Sequence, residues 1–406
     1  MSDERKLLWD GADVNTQESV QSCTGALVTG STSVKGNMVG ETTDFVPPRW
    51  QNVKVELVVP KTGYRYMKGV LNEKGVGITQ FFRGARTIPY SGRSRLHRIN
   101  KDEMLSRADS AKGYVELWED SVTKYGIDEP KGAQAQLIVD PKEGYLLEAA
   151  NWVYGDPANH AIHGPMTDQI FAHANFFVAK RLKQVEIGIG AGYNRAKRMW
   201  ELLIDRQYDS ITAPNPGISL SYLMSCFRDH GNLSPEEGRY SVKVSEERAK
   251  YTICSHGLGI YSAHAHICNV TVDHTDLFSC LWNTFGQPCI APFLPFYIGI
   301  NAVPEAMRTN AAAKVFEQLR LAVEYHPEYR EDITHFWKIF DIHSIEESSA
   351  LEAEVTVLID SKKQDEARKR LTDFVESRCS QALSAASQIL GDIESLPRLR
   401  KPTNPP

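Results

Sequence analysis

The segment between Cys23 and Phe45 constrains the fold of this 406-residue chain more than any other. Its two arms, Cys23–Thr29 and Asn37–Phe45, are apolar or rich in threonine, and turn-forming residues separate them. This pattern predicts two antiparallel strands joined by a loop. Because a hairpin returns the end of its second strand to the start of its first, we expect the Asp44 carboxylate beside the Cys23 thiol.

A thiol at the start of a strand, next to a carboxylate, suits one particular chemistry. If the Ser22–Cys23 peptide bond were cut, Cys23 would carry both a nucleophilic sulfur and a free α-amine. The reference pKa of such an amine, roughly 7.7 to 8.0, suits a general base near neutral pH. Asp44 could then hold the resulting ammonium in place. The alternative is that Cys23 is a small hydrophobic residue in a core strand.

The order of residues in this segment resembles the start of the N-terminal-nucleophile (Ntn) amidohydrolases. Cys-Thr is followed by an apolar strand, a turn with glycine and then Gly40-x-x-x-Asp44. The dipeptidase family C69 is similar, as are its relatives the secernins, the choloylglycine hydrolases and acyl-CoA:6-aminopenicillanate acyltransferase. Those relatives usually have Arg or Lys directly after the glycine, where this chain has Glu41. A cation that would favour the thiolate is therefore missing at that position.

Composition excludes several classes of protein. With 42% hydrophobic, 24% charged and 9% aromatic residues, it is typical of a soluble globular chain. The formal net charge of -5 gives no electrostatic basis for binding nucleic acid. No segment approaches the ~20 apolar residues that span a bilayer, so we expect no membrane partner. Seven cysteines, an odd number without a dense framework, predict reduced thiols and a cytoplasmic location.

The ends of the chain differ from its middle. Residues 1–22 are polar and acidic, without the apolar core of a signal peptide. A polar leader that ends at a candidate nucleophile predicts a propeptide cut between Ser22 and Cys23, although a frayed terminus is equally polar.

We predict one domain over 23–305 and a helical segment over 306–406. Its amphipathic helices could dock onto the domain or join chains, and we expect a homo-oligomer.

Other elements follow in an order similar to that of C69 proteins. Hairpin turns are predicted at 72–75 and 140–144, and helices over 100–126, 194–206 and 218–230. A long helix is predicted from Ser348 to Ile393. The glycines of 188–192 do not have the spacing of a dinucleotide-binding fingerprint, so no cofactor is expected.

Three more site residues come from the resemblance. In the choloylglycine relatives an asparagine that corresponds to Asn175 donates its amide N–H to the oxyanion, which implies that role here. The alternative is a strand-end asparagine that satisfies the backbone. Arg228 and His230 end an apolar helix in an Arg-Asp-His sequence like that of C69 proteins, which implies that they border the substrate pocket. Equally, they are cations placed favourably at a helix C-terminus. Glu41 at the same pocket would favour a cationic group on the substrate.

Cysteine and histidine recur at two-residue spacing between residues 254 and 268. On paired strands Cys254, His256, His264 and His266 could point to one face and assemble a zinc site. The same order resembles late strands of C69 members, where these segments form sheet and pocket wall. We therefore predict no metal, interpret Cys289 as a packing residue, and keep a zinc hydrolase as an alternative.

The resemblance implies an α+β fold, a four-layer αββα Ntn-hydrolase sandwich with a helical C-terminal extension. Residue patterns alone favour α+β without specifying four layers. The implied activity is hydrolysis of a linear amide or peptide bond, in a dipeptide or an N-acyl amino compound, through an acyl-enzyme on Cys23. Asp44 would orient the amine and Asn175 would hold the oxyanion. An acyltransferase on the same fold remains an alternative, as does a catalytically silent scaffold, which Glu41 would suit.

Overall fold

The computed structural model describes residues 23–45, 53–82, 101–125, 133–150, 159–183, 191–208, 217–231, 252–257 and 260–395. The predicted propeptide and its Ser22 cleavage position lie outside these ranges. In chain order the strands are β1 (Thr24–Val28), β2 (Asn37–Phe45), β3 (Leu57–Val58), β4 (Tyr66–Met67), β5 (Leu71–Asn72), β6 (Gly77–Ile78), β7 (Phe81–Phe82), β8 (Ala133–Val139), β9 (Gly144–Ala150), β10 (Asn159–Met166), β11 (Ile170–Ala174), β12 (His256–Gly257), β13 (Ile260–Val270), β14 (Cys280–Asn283) and β15 (Leu294–Tyr297).

Helices occur between the strands and at the C-terminal end of the described chain. They are α1 (Lys101–Leu105), α2 (Ala111–Tyr125), α3 (Lys180–Lys183), α4 (Ala191–Tyr208), α5 (Leu220–Phe227), α6 (Thr275–Phe278), α7 (Glu305–Arg308), α8 (Ala311–Tyr325), α9 (Arg330–Asp360) and α10 (Gln364–Glu394), with short 3-10 helices at Gly30–Thr32 and Pro327–Tyr329. In the described part of the chain, no helix is both long and apolar enough to cross a bilayer.

The strands form two antiparallel sheets. The first has the order β11-β1-β2-β13-β14-β15, with β12 paired to β13. The second has the order β10-β9-β8-β6-β5-β4-β3, with β7 paired to β8. The predicted hairpin is confirmed, since β1 pairs with β2 and Thr24 lies opposite Thr42. Helices together with two antiparallel sheets also confirm the predicted α+β class.

The two sheets face each other at close range. A Cβ atom added to Gly25 of β1 would lie 2.4 Å from the Phe81 ring, and one added to Gly144 of β9 would lie 2.5 Å from Leu27. Glycine at these positions therefore permits the approach. In β8, Leu137 belongs to the core shared with β1, whereas its neighbour Ile138 belongs to a second cluster that includes residues of α2.

Helices pack against both sheets. Helix α4 contacts β1 and β11, and α5 contacts β2 and β13, while α2 contacts β9 and β10. The helix predicted over 100–126 is interrupted, because the Asn72 side chain donates to the carbonyls of Leu105 and Ala108 at 2.7 and 2.8 Å. Helix α2 then begins where the Ala111 amide donates to the Asp140 carboxylate at 2.7 Å. The side chains of Asn72 in β5 and of Asp140, which follows β8, thus set both boundaries.

The C-terminal helices pack on the first sheet. Helix α10 contacts α8, α9 and β15, and its side chains Leu371, Val375 and Ala382 are fully buried. The prediction of one continuous helix from Ser348 to Ile393 is wrong. Helix α9 ends at Asp360, and a turn reverses the chain before α10 begins. This reversal lets the apolar faces of both helices pack together. The domain boundary at 305 stays a prediction.

Candidate active site

Cys23 lies directly before β1, a central strand of the first sheet, and is 4% exposed. Burial raises the pKa of its thiol well above the usual value, and the neighbouring carboxyl groups of Glu41 and Asp44 raise it further. A hydrogen bond from the Asp44 backbone and the charge of Arg195 lower the pKa of the thiol, but by less than the other causes raise it. In the intact chain this thiol therefore stays protonated at neutral pH.

Asp44 is held by two buried partners. The Arg195 guanidinium of α4 donates to one carboxylate oxygen, and Ser262 Oγ of β13 donates to the other at 2.7 Å. Arg195 also donates to the carbonyl of Ile253 at 2.6 Å, and its side chain is 2% exposed. Asp44 also lies close enough to Cys23 to act on its thiol, as expected from the hairpin. The two partners fix the orientation of its carboxylate.

Asn175 lies at the same end of the first sheet. Ala174, the last residue of β11, pairs with Thr24, so Asn175 and Cys23 occupy adjacent positions just beyond this pair. Asn175 is 6% exposed, and a Cβ atom added to Gly192 of α4 would lie 3.1 Å from its backbone nitrogen. The fold therefore brings Cys23, Asp44 and Asn175 together, while their chemical roles remain predictions.

Glu41 lies in the space between the two sheets. Its carboxyl group accepts a hydrogen bond from the Gln80 amide at 3.1 Å and lies 4.0 Å from His266 Nδ1. Burial raises the pKa of Glu41 to about 8, although the charge of Lys101 and the Gln80 hydrogen bond lower it. Glu41 is thus mostly protonated at neutral pH. A protonated carboxyl group can both donate and accept a hydrogen bond. The preference for a cationic substrate group suggested by the sequence stays a prediction.

Two histidines of β13 lie on the face of the first sheet that carries Glu41. The rings of His264 and His266 are stacked, with centroids 6.1 Å apart. Burial lowers the pKa of His264 to about 4, and burial together with His264 lowers that of His266 to about 3. Both imidazoles are therefore neutral at pH 7. Within the described ranges, His266 Nε2 has no hydrogen-bond partner, so it can bind a ligand group.

Arg228 is a buried connecting residue. Its Nε donates to the carbonyl of Pro288 at 2.6 Å, its Nη2 donates to that of Ala291 at 3.0 Å, and its Nη1 forms an ion pair with Asp341 at 2.6 Å. These contacts link the end of α5 to α9 and to the loop before β15. None of these contacts involves Cys23, and the substrate-binding role implied by the resemblance stays a prediction.

Among the described residues, the ligands of the alternative zinc site do not come together. His264 and His266 lie on β13, whereas Cys254 lies with His230 and Cys289, and the ligand atoms of these three are within 4.8 Å of one another. The side chain of His256 lies outside the described residues. His230, predicted at the substrate pocket, is therefore placed beside two cysteines.

Arg195 is the residue that sequence reasoning missed. It supplies a positive charge near Cys23 from α4, while position 41 carries the acidic residue. A signal was present in the sequence, since Arg195 shares a helical face with the buried residues Met199 and Leu203. A charged residue on an apolar helix face is buried only with a partner.

Comparisons with known proteins add little. No protein-family model matches this chain, and no curated protein matches it. Among solved structures, a mutant of the conjugated bile acid hydrolase from Clostridium perfringens is similar over 64% of this chain and 88% of its own length. The sequence identity is 12% and the TM-score is 0.37, so this likeness is too weak to carry a function.

Proposed function

We propose that this protein is a cysteine-dependent N-terminal-nucleophile amidohydrolase with Cys23 as its nucleophile. The observation that carries the proposal is the meeting of Cys23, the Arg195-paired Asp44 and Asn175 at one end of the first sheet. A nucleophile, a group that orients its base and an oxyanion donor are the parts that acyl transfer requires. The Cys-Thr and Gly-x-x-x-Asp sequence at this site supports the same reading.

Cleavage before Cys23 is the activating step of this proposal. In the intact chain the Cys23 nitrogen is a peptide nitrogen and cannot act as a base, and burial keeps the thiol protonated. Hydrolysis of the Ser22–Cys23 bond yields an α-amine whose pKa, roughly 7.7 to 8.0, matches neutral pH. Its ammonium form also offsets the negative charge of Asp44, which raises the thiol pKa in the precursor.

The reaction then proceeds through an acyl-enzyme. The α-amine takes the thiol proton and the sulfur attacks the substrate carbonyl, forming a tetrahedral intermediate whose oxyanion accepts hydrogen bonds from the Asn175 side chain and backbone N–H groups. The C–N bond breaks as the leaving amine receives the proton from the ammonium. Water, deprotonated by the α-amine, attacks the thioester and releases the acid and the free thiol.

Arg195 acts as a positioning residue. Its hydrogen bonds to Asp44 and to the Ile253 carbonyl fix the carboxylate that orients the α-amine. It also provides the positive charge that the family's basic residue would provide at position 41. Because Arg195 supplies the cation from α4, position 41 does not need a basic residue. The space between the sheets can then contain the neutral groups of Glu41 and His266.

The proposed substrates are linear amides, either dipeptides or N-acyl amino compounds. Glu41 and His266 offer neutral hydrogen-bonding groups in the space between the sheets, which suits the polar groups that flank an amide bond. The proposal includes a four-layer αββα arrangement. The packing of α4 on the first sheet and of α2 on the second supports it.

Intact mass, N-terminal sequencing and turnover of a dipeptide and acyl-amide panel test the proposal together. We expect the wild-type chain to begin at Cys23 and to hydrolyse at least one amide. Cys23→Ala should abolish both processing and turnover, and Cys23→Ser should retain part of either, because a hydroxyl can replace the thiol weakly. Cys226→Ala is the control, since this buried thiol lies on α5 outside the site.

Two results would contradict the proposal. Processing or turnover that survives in Cys23→Ala would exclude Cys23 as the nucleophile. A wild-type chain that keeps its first 22 residues and hydrolyses none of the panel would favour the silent scaffold.

A further inference from the structure

A second group of reactive side chains lies beyond the C-terminal end of α5. The ligand atoms of His230, Cys254 and Cys289 are all within 4.8 Å of one another. Both cysteines are fully buried, and His230 is half-buried. The mechanism proposed for Cys23 uses none of these three residues.

Backbone contacts hold two of the three residues in position. The amides of Ile253 and Cys254 each donate to the Asp229 carbonyl at 3.0 Å, directly next to His230. On the other side, Thr334 Oγ1 of α9 donates to the Cys289 carbonyl at 2.7 Å. The 252–257 segment is therefore fixed to the end of α5, and the Cys289 backbone is fixed to α9, as a preformed ligand site requires.

The residue types and spacing suit a zinc ion. Two thiolates and an imidazole are preferred zinc ligands, with Zn–S bonds of about 2.3 Å and Zn–N bonds of about 2.0 Å. In a tetrahedral site these bonds place the ligand atoms roughly 3.3 to 3.8 Å apart. In the observed group all three ligand atoms lie within 4.8 Å of one another, which is close to that geometry.

In the metal-free chain, burial and the neighbouring Cys289 thiol raise the pKa of Cys254 well above its usual value, so the geometry of the group carries the argument for a metal. The Cys289 backbone forms a hydrogen bond to the Cys254 sulfur, and the positive charge of Arg330 acts on the same thiol. A hydrogen bond to a ligand sulfur is the usual outer contact of a metal thiolate. A zinc ion with two thiolates and a neutral imidazole carries no net charge, so the nearby Arg330 does not repel it.

We propose that His230, Cys254 and Cys289 bind a zinc ion, with a water molecule as the fourth ligand on the half-exposed His230 side. Binding releases the two thiol protons to solvent. The ion connects the end of α5, the 252–257 segment and the loop before β15. The carbonyl of Ile253, next to Cys254, accepts a hydrogen bond from Arg195, which also binds Asp44. The ion therefore helps to hold Arg195 and Asp44 in position without contacting the substrate.

Metal content of the full chain, purified without chelator, tests the site. We expect about one zinc per chain in wild type, and less than about a tenth of that in Cys254→Ala and Cys289→Ala. Cys226→Ala, which removes a buried thiol of α5 that is not in the group, should keep the zinc. Cys23→Ala should also keep it, which separates this proposal from the proposed activity.

A second measurement serves if the alanine variants do not fold. Wild-type protein stripped with a chelator and titrated with Co²⁺ should develop thiolate-to-cobalt charge-transfer absorption, and zinc should protect two thiols from a thiol reagent. Wild-type protein that contains no zinc and takes up neither ion overturns the proposal. Zinc retained in both cysteine variants overturns it too, as does a Cys254–Cys289 disulfide found in place of the metal.

Discussion

The Arg195 guanidinium donates a hydrogen bond to the Asp44 carboxylate, and the two side chains are almost completely buried. This ion pair joins α4 to the end of β2, beside the Cys23 thiol. Since both charges are removed from water, each one depends on the other for compensation.

Arg195→Ala should destabilise the fold strongly, because it leaves the Asp44 charge buried without its partner. We expect a loss of about 3–5 kcal/mol in the free energy of unfolding, measured by urea denaturation. Arg195→Lys should lose less, because it keeps the charge. Arg198→Ala is the matched control on the same helix, since its ion pair with Asp229 is partly exposed. Equal losses in the two alanine variants would contradict the assigned importance of the buried pair.

Glu41 should make stability fall as the pH rises. Its folded-state pKa of about 8 lies above the ordinary glutamate value of 4.5, so the folded chain holds a proton that the unfolded chain releases between these values. Over that window the free energy of unfolding should fall by up to about 1.4 kcal/mol per pH unit from this group. Glu41→Gln should show a shallower fall between pH 5 and pH 8 in urea titrations. Identical slopes in the two proteins would show that Glu41 is not protonated in the fold.

Arg228 should be a structural rather than a substrate-binding residue. Arg228→Ala leaves Asp341 buried without its cation, so we expect a loss of about 3–5 kcal/mol in the free energy of unfolding. A double-mutant cycle with Asp341→Ala should give a large coupling energy. If Arg228→Ala instead keeps its unfolding free energy and raises KM for an amide substrate, the pocket position implied by the family resemblance is correct.

The close approach of the two sheets can be tested with a pair of glycine substitutions. Gly25→Ala places a methyl group 2.4 Å from the Phe81 ring, and we expect a loss of about 1–3 kcal/mol in unfolding free energy. Gly391→Ala, at an exposed position of α10 with open space around it, should stabilise the protein by about 0.5–1 kcal/mol. A neutral Gly25→Ala variant, in thermal or urea unfolding, would mean that the sheets are further apart.

Local patterns predicted the parts of this molecule that depend on neighbouring residues. The hairpin that brings Asp44 to Cys23 follows from two strand patterns and a turn, and the helix that became α4 follows from its apolar spacing. Contacts between distant segments could not be predicted in this way. The partners of Asp44 come from α4 and β13, and that of Arg228 from α9, and no short-range pattern connects such positions.

The alternative zinc site fails for a physical reason. It requires the two-residue spacing of Cys254 and His256 to reflect strand alternation. Cys254 instead precedes β12, and its backbone amide bonds to Asp229 at the end of α5, which turns it toward His230. Alternation therefore holds along β13 for His264 and His266 but does not extend to Cys254.

The docking of α10 determines which fragments of this protein can exist by themselves. Asn301 donates to Thr372 Oγ1 at 2.9 Å, Arg368 donates to the Gly299 carbonyl at 3.0 Å, and the rings of Tyr297 and Phe374 are in contact. A premature stop before residue 364 would uncover this apolar surface of β15. Truncated products should therefore aggregate or be degraded, and the last helix is as indispensable to the fold as the strand it covers.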